Sequence, residues 1–322
     1  MVNPMQKRRL GATPRSVFPV GLGCMGLSWG YRDPSVDEAA GIDLIRQAID
    51  LGVDHLDTSD AYGPFTNERL VGRAVAGRRD RVLLATKAGL VVEDAATYRY
   101  GRNGRPEHIR SACDGSLARL GVDVIDLYYL HRIDPQTPVE ESWGAMAGLV
   151  AAGKVRFLGI SEPSVADLER IAAIHPVTAV QSELSLWTRD HLAEVAPWCK
   201  ANGASFVAFS PLGRGFLTGA ITTDARFGPE DFRSKLPRFR PEAIAQNQAL
   251  VERVGAIAER RNATAAQVAL AWVLAQGEHV LAIPGTQRRK YLEQNVGAAE
   301  IVLTHKEMAD LDALPAPVGG RY

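Results

Sequence analysis

Val124-Ile125-Asp126-Leu127-Tyr128-Tyr129-Leu130-His131 is an almost unbroken apolar and aromatic run that closes on an imidazole. Two other runs have the same form. Val82-Leu83-Leu84-Ala85-Thr86-Lys87 ends on an ammonium, and Val53-Asp54-His55-Leu56-Asp57 ends on a carboxylate with the phenol of Tyr62 shortly after it. Strands this apolar leave no face for water, which implies a parallel sheet covered by helices. Similar runs recur at about 155–160, 177–181, 205–209 and 279–283, and the segment 17–24 makes an eighth strand.

Segments of helical period lie between the strands. Their start signals are Thr137-Pro138 before Glu140 and Glu141, Ser164 before Asp167, and Thr264 before Gln267. The first helix is expected over about residues 37–51, with Ser35 and Glu38 as a capping box and Ile42, Ile45 and Ile49 on one face. Eight βα units predict an α/β fold, a (β/α)8 TIM barrel, better than an open doubly wound sheet. Lys7-Arg8-Arg9-Leu10-Gly11 with Val17-Phe18-Pro19-Val20 reads as an N-terminal hairpin closing the barrel's bottom. With no linker, low-complexity segment or repeat beyond the βα unit, residues 1–322 read as one barrel domain. Residues 211–240 read as a long Gly/Pro/Arg-rich loop, a length that in compact domains usually serves function.

Composition narrows the classes. The 322 residues are 46% apolar, and 37 basic side chains balance 37 acidic ones, so nothing points to nucleic acid or an anionic membrane. No apolar run approaches the roughly 18 residues needed to span a bilayer, and residues 1–15 lack the apolar core of a signal peptide. Cys24, Cys113 and Cys199 are odd in number and contain no Cys-x-x-Cys. They read as reduced core thiols, and the cytoplasm is the expected compartment.

In a barrel the residue just past each strand faces the active-site mouth. Those positions here are Asp57, Lys87, His131, Ser161, Gln181, Phe209 and Gly285. A phenol of ordinary pKa near 10 is a poor acid at neutral pH. An adjacent ammonium is expected to lower it, making Tyr62 beside Lys87 a proton donor, with Asp57 holding Lys87 charged. His131 would hydrogen-bond a carbonyl oxygen, and nothing in the chain supplies a hydride, so a nicotinamide cofactor would. Each residue has a plainer reading: Asp57 as a helix cap, Tyr62 as core, His131 as a structural imidazole. Gly21-Leu22-Gly23-Cys24-Met25-Gly26 matches G-x-G-x-x-G, but the loop Ser28–Pro34 stands where a dinucleotide-binding helix would have to begin.

Several segments together resemble the aldo-keto reductases. They are Asp57-Thr58-Ser59-Asp60-Ala61-Tyr62-Gly63, Leu84-Ala85-Thr86-Lys87, Asp126–His131, Val155–Ser161, Ala208–Gly213 and Ile283-Pro284-Gly285-Thr286. The chain is most similar to the bacterial and plant branch with the loop Pro211-Leu212-Gly213-Arg214-Gly215-Phe216-Leu217-Thr218-Gly219. The resemblance implies NADPH-dependent reduction of aldehydes or ketones with Asp57, Tyr62, Lys87 and His131 as the catalytic set. It also implies a nicotinamide seat of Ser161, Gln181 and Phe209. Gly23, Cys24 and Met25 would border the ribose, and Ser210, Leu212, Gly213 and Arg214 the pyrophosphate. Gly285, Thr286, Arg288, Lys290, Gln294 and Asn295 would surround the adenosine end. Arg288-Arg289-Lys290 beside a helix start favours the 2′-phosphate of NADPH over NADH. Glu162 stands where many relatives have Asn, Gly285 where some have Lys, and Tyr291 where many have Arg.

The substrate is expected to be a small carbonyl compound walled by Trp29, Tyr31, Phe65 and Trp187, with a loop at 89–105 above. Arg99, Arg102 and Arg105 could instead admit an anionic group or simply face solvent. A cofactor-binding regulatory subunit of the potassium-channel β type is the alternative function, and a phosphate-sugar isomerase or lyase barrel is a more distant one. The sequence leaves the oligomeric state open.

Overall fold

The computed structural model describes residues 7–30, 37–228 and 231–321. A short antiparallel pair, β1 (Arg8–Arg9) and β2 (Ser16–Val17), lies at the N-terminus. The barrel strands are β3 (Leu22–Gly23), β4 (His55–Asp57) and β5 (Leu83–Ala88). A second hairpin, β6 (Leu90–Asp94) with β7 (Arg99–Arg102), interrupts them. The barrel resumes with β8 (Ile125–Leu130), β9 (Val155–Ser161), β10 (Ala179–Glu183), β11 (Ser205–Phe209) and β12 (Val280–Ala282). Neighbours are parallel in the order β12-β11-β10-β9-β8-β5-β4-β3. A parallel bridge between Val20 and Ala282 joins the two ends, so the eight-stranded sheet closes as a (β/α)8 barrel.

Strand alternation separates two cores. Leu83, Ala85, Leu127, Tyr129, Ala179, Val207 and Leu281 point into the lumen, where Leu10 and Val17 from the N-terminal hairpin plug the bottom. Leu84, Tyr128, Leu158, Val180 and Phe206 point outward into the larger layer beneath the helices. All three cysteines are buried in that apolar interior.

The eight strand positions agree with the sequence, and so do the capping boxes at Ser164 and Thr264. Two local expectations are corrected and a third is refined. The first helix spans Glu38–Asp50 and is capped by Asp37, which accepts from the Ala40 amide at 2.8 Å; Ser35 lies outside the described residues. The 89–105 segment is the β6/β7 hairpin rather than a loop. The 211–240 segment contains short 3₁₀ turns at Gly213–Thr218, Phe232–Lys235 and Pro237–Phe239. Two glycines of the G-x-G-x-x-G stretch sit at tight contacts between neighbouring segments of the barrel: a Cβ on Gly21 would come within 2.8 Å of the His55 carbonyl, and one on Gly23 within 2.7 Å of the Ile283 carbonyl.

Candidate active site

The C-terminal ends of the strands open into a cavity of about 670 Å³, a volume suited to a small-molecule ligand. Alternation brings Asp57 and Lys87 to its floor, because β4 and β5 each aim their last inward residue there. Lys87 is fully buried, and its ammonium makes three donations. One goes to Asp57 Oδ1, one to the Thr58 carbonyl (2.8 Å) and one to the Tyr62 hydroxyl (3.3 Å). Asp57 Oδ2 accepts from Gln181 Nε2 at 2.7 Å, so both carboxylate oxygens are engaged. A buried ammonium needs such satisfaction to stay charged. Burial opposes the charge on Lys87, but Asp57 and Tyr62 outweigh it and raise its pKa.

Tyr62 enters from the turn after β4, where its amide bonds the Ser59 carbonyl at 3.2 Å. Its pKa is raised: burial dominates, Lys87 pulls the other way, and Asp57 adds to the rise. This reverses the direction expected from the Lys87–Tyr62 pairing alone. The phenol therefore keeps its proton, and the Lys87 ammonium beside it favours the phenolate form without outweighing burial.

His131 follows β8 and packs edge-on against Tyr62, with ring centroids 5.9 Å apart. Burial, with Arg132 and Lys87 next, holds its pKa well below the ordinary value, so the imidazole is neutral. Its Nδ1 lies 3.1 Å from Ser59 Oγ, which leaves Nε2 for the cavity. A phenol and a neutral imidazole, backed by an ammonium, can together receive a carbonyl oxygen and protonate it as negative charge develops.

The remaining wall comes from other strand ends and two excursions. Ser161, Gln181 and Phe209 line one side, and Met25, Trp29 and Gly285 another. Trp29 Nε1 donates to the Tyr100 hydroxyl (2.8 Å), and the Tyr98 hydroxyl donates to the Gly30 carbonyl (2.9 Å). Tyr98 also packs on Phe232, so the β6/β7 hairpin is bound to both loops it faces.

Residues 19–316 match the Aldo/keto reductase family. The chain belongs to that family. It is 42% identical over 322 residues to probable aldo-keto reductase 1 of Glycine max, covering 99% of this chain and 92% of the relative. Among solved structures it is similar to a glycerol dehydrogenase from Gluconobacter oxydans, with a TM-score of 0.88, 30% identity and 99% of each chain covered. It is also similar to an aldo-keto reductase from Klebsiella pneumoniae in complex with NADPH. There the TM-score is 0.74 and the identity 27%, with 97% of this chain and 96% of that one covered. Among the described residues no helix is long and apolar enough to cross a membrane.

Within this aldo/keto reductase fold, the expected residues fall into three groups. Asp57, Tyr62, His131, Gly23, Met25, Trp29, Ser161, Gln181, Phe209, Ser210, Arg214 and Gly285 all line the cavity, with Lys87 beneath Asp57 and Tyr62. A second group does not line it. Cys24 is buried, its amide bonded to the Asp57 carbonyl at 2.9 Å, and Leu212 and Gly213 open the turn that carries Arg214. Thr286, Arg288, Lys290, Gln294 and Asn295 lie in and before the helix Arg289–Gly297, with Arg288 and Lys290 exposed at its N-terminus. The third group stands apart. Trp187 is buried, stacked on Phe216 at 4.3 Å under Arg238, and does not line the cavity. Phe65 is 46% exposed beneath the Arg119 guanidinium and is also absent from the wall. Tyr31 lies outside the described residues.

The sequence reading missed several wall residues. Arg132, next to His131, donates to Ser161 Oγ at 2.9 Å. Phe232 comes from the long loop, while Leu90, Tyr98 and Tyr100 belong to the 89–105 segment that was expected above the pocket. Glu162, at φ +57, also lines the cavity; its carboxylate accepts from the Glu183 amide (2.8 Å) and pairs with Arg321 (2.7 Å). Arg321 also bonds Glu183 at 2.8 Å and lies 5.5 Å from the Phe209 ring centroid. No local signal at residue 321 announces this, because its partners lie more than a hundred residues away.

Proposed function

We propose that the protein reduces aldehydes or ketones to alcohols with NADPH, Tyr62 delivering the proton. The observation that carries this reading is the buried Asp57–Lys87–Tyr62 chain, with Tyr62 3.3 Å from Lys87 and His131 beside it at the floor of the cavity. The wall fits a nicotinamide dinucleotide: Ser161 and Gln181 offer polar groups to a carboxamide, and Phe209 a stacking face. The helix start at Arg288–Lys290 offers positive charge to phosphates, and Arg214, ion-paired with Glu183 at 3.0 Å, lines the cavity. NADP and NADPH in solved structures of related proteins support the same cofactor class. When bound, the nicotinamide supplies the hydride.

The chain's own residues do the rest. Tyr62 and His131 Nε2 would hold the carbonyl oxygen between them and orient its carbon. Tyr62 would release its proton to that oxygen as charge builds, and Lys87, kept charged by Asp57, would stabilise the phenolate. The hairpin and Trp29 would exclude water. Their aromatic faces favour flat, apolar carbonyl substrates.

The test is consumption of NADPH and of NADH, followed at the reduced-nicotinamide absorbance with an aromatic aldehyde, and glycerol oxidation in the reverse direction. Aldehyde-dependent consumption that is faster with NADPH is the expected result. Cofactor binding without consumption across a broad carbonyl panel would favour a regulatory binding role.

A further inference from the structure

We propose that Ser59 and Asp60 act as positioning residues behind His131, forming a relay that decides which imidazole nitrogen carries the proton. The inference rests on the carbonyl-reductase reading for its catalytic meaning, but its geometry stands alone. Ser59 Oγ lies 3.1 Å from His131 Nδ1 and 3.2 Å from Asp60 Oδ1, and it accepts from the Ala61 amide at 3.2 Å. Ser59 is fully buried, Asp60 is 5% exposed and His131 6%.

A hydroxyl has one proton and two acceptor sites. The Ala61 amide takes one acceptor site, so Ser59 has one donation and one acceptance left for Asp60 and His131. Only two arrangements satisfy all three groups. With Asp60 protonated, Asp60 donates to Ser59, Ser59 donates to Nδ1, and the single proton of the neutral ring sits on Nε2. With Asp60 ionised, Ser59 donates to Asp60, Nδ1–H donates to Ser59, and Nε2 presents a bare lone pair. Passing from the first to the second releases one proton to solvent at Nε2. Nδ1 takes the Ser59 proton and Ser59 takes the Asp60 proton, so the negative charge appears on Asp60. Only the first arrangement lets Nε2 donate to a carbonyl oxygen.

The surroundings place this exchange near neutrality. Burial and the neighbouring Glu68 push the Asp60 carboxyl up to about 7, against the hydrogen bond from Ser59 and the charge of Arg119. Tyr128 faces Asp60 from β8, while Arg132 and Lys87 face the imidazole and keep it from taking a second proton. His131 is thereby held to the choice between its two neutral tautomers.

The decisive experiment is imidazole ¹⁵N NMR of the full-length protein from pH 5.5 to 8.5, with His131 assigned by loss of its signals in His131→Gln. The expected result is a change from Nε2–H to Nδ1–H with a midpoint near 7. Asp60→Asn, whose amide does not titrate and can either donate to or accept from Ser59, should hold a single tautomer at every pH, and Ser59→Ala should uncouple the tautomer from pH. In parallel, wild-type carbonyl reduction at saturating cofactor should fall by up to about tenfold per pH unit above that midpoint, as for one ionisation, and Asp60→Asn should lose the fall. A single His131 tautomer across the range in wild type, or conversion to imidazolium, overturns the relay. A tautomer change without carbonyl turnover would overturn the reductase reading and leave the relay standing.

Discussion

The Tyr62 hydroxyl is one atom in a hydrogen-bonded chain, so its removal separates proton delivery from cofactor binding. Tyr62→Phe should lower turnover by about 10²-fold or more, the usual loss for a positioned acid, while the dissociation constant for NADPH stays close to wild type. Stopped-flow reduction with parallel fluorescence titration of NADPH checks both halves; near-normal turnover would remove Tyr62 from that role. Asp57, Lys87 and His131 were legible because each terminates an apolar run that can only be a buried strand. The direction of the Tyr62 pKa was not legible. Sequence shows the neighbouring charge but not the depth at which a hydroxyl sits, and here burial outweighs Lys87. Trp187 failed for a related reason: an aromatic shortly after a strand can face the cavity or turn beneath the adjoining loop. Phe216 and Arg238, which decide the matter, come from elsewhere in the chain.

Elements add charge and closure. The helix Arg289–Gly297 presents Arg288 and Lys290 at its exposed N-terminus, while Arg289 is paired with Glu293 at 2.8 Å. Replacing Arg288 and Lys290 with Gln should raise the Michaelis constant for NADPH several-fold and hardly change that for NADH; equal effects on both would remove the 2′-phosphate from this helix. The C-terminal tail makes a different prediction. Although burial opposes ionisation of Glu162, hydrogen bonds from His191 and Arg321 bring its pKa down from 4.5 to about 2. A carboxylate held low stabilises the fold fully above its unfolded pKa and loses that contribution as pH falls through the folded value. Urea unfolding should therefore show stability dropping between pH 4.5 and 2, by up to about 3 kcal/mol from this group. Arg321→Ala should flatten that drop. The β6/β7 hairpin escaped sequence reading because its strands are half-exposed and bury no face of their own. Its anchors, Trp29 and Phe232, lie far away in the chain.

For the whole molecule, closure of the barrel depends on the seam where β3 meets the segment after β12. The Gly23 amide bonds the Pro284 carbonyl at 3.2 Å, and a Cβ on Gly23 would press into the Ile283 carbonyl. Gly23→Ala should cost about 1–3 kcal/mol in unfolding free energy, as overpacking of a tight contact does. Because the seam borders the cavity, it should also weaken NADPH binding; unchanged stability by urea titration would show that the seam can relax. The barrel itself was readable from the count of buried strands, whereas its closing contact was not, since β3 contributes only two paired residues. Burial of Cys24, Cys113 and Cys199 has a practical consequence. A thiol introduced at an exposed position such as Arg99, near the tip of the hairpin, would be the one readily accessible to maleimide. A single fluorophore placed there, without first stripping the native cysteines, would report the hairpin's position over the cavity in real time.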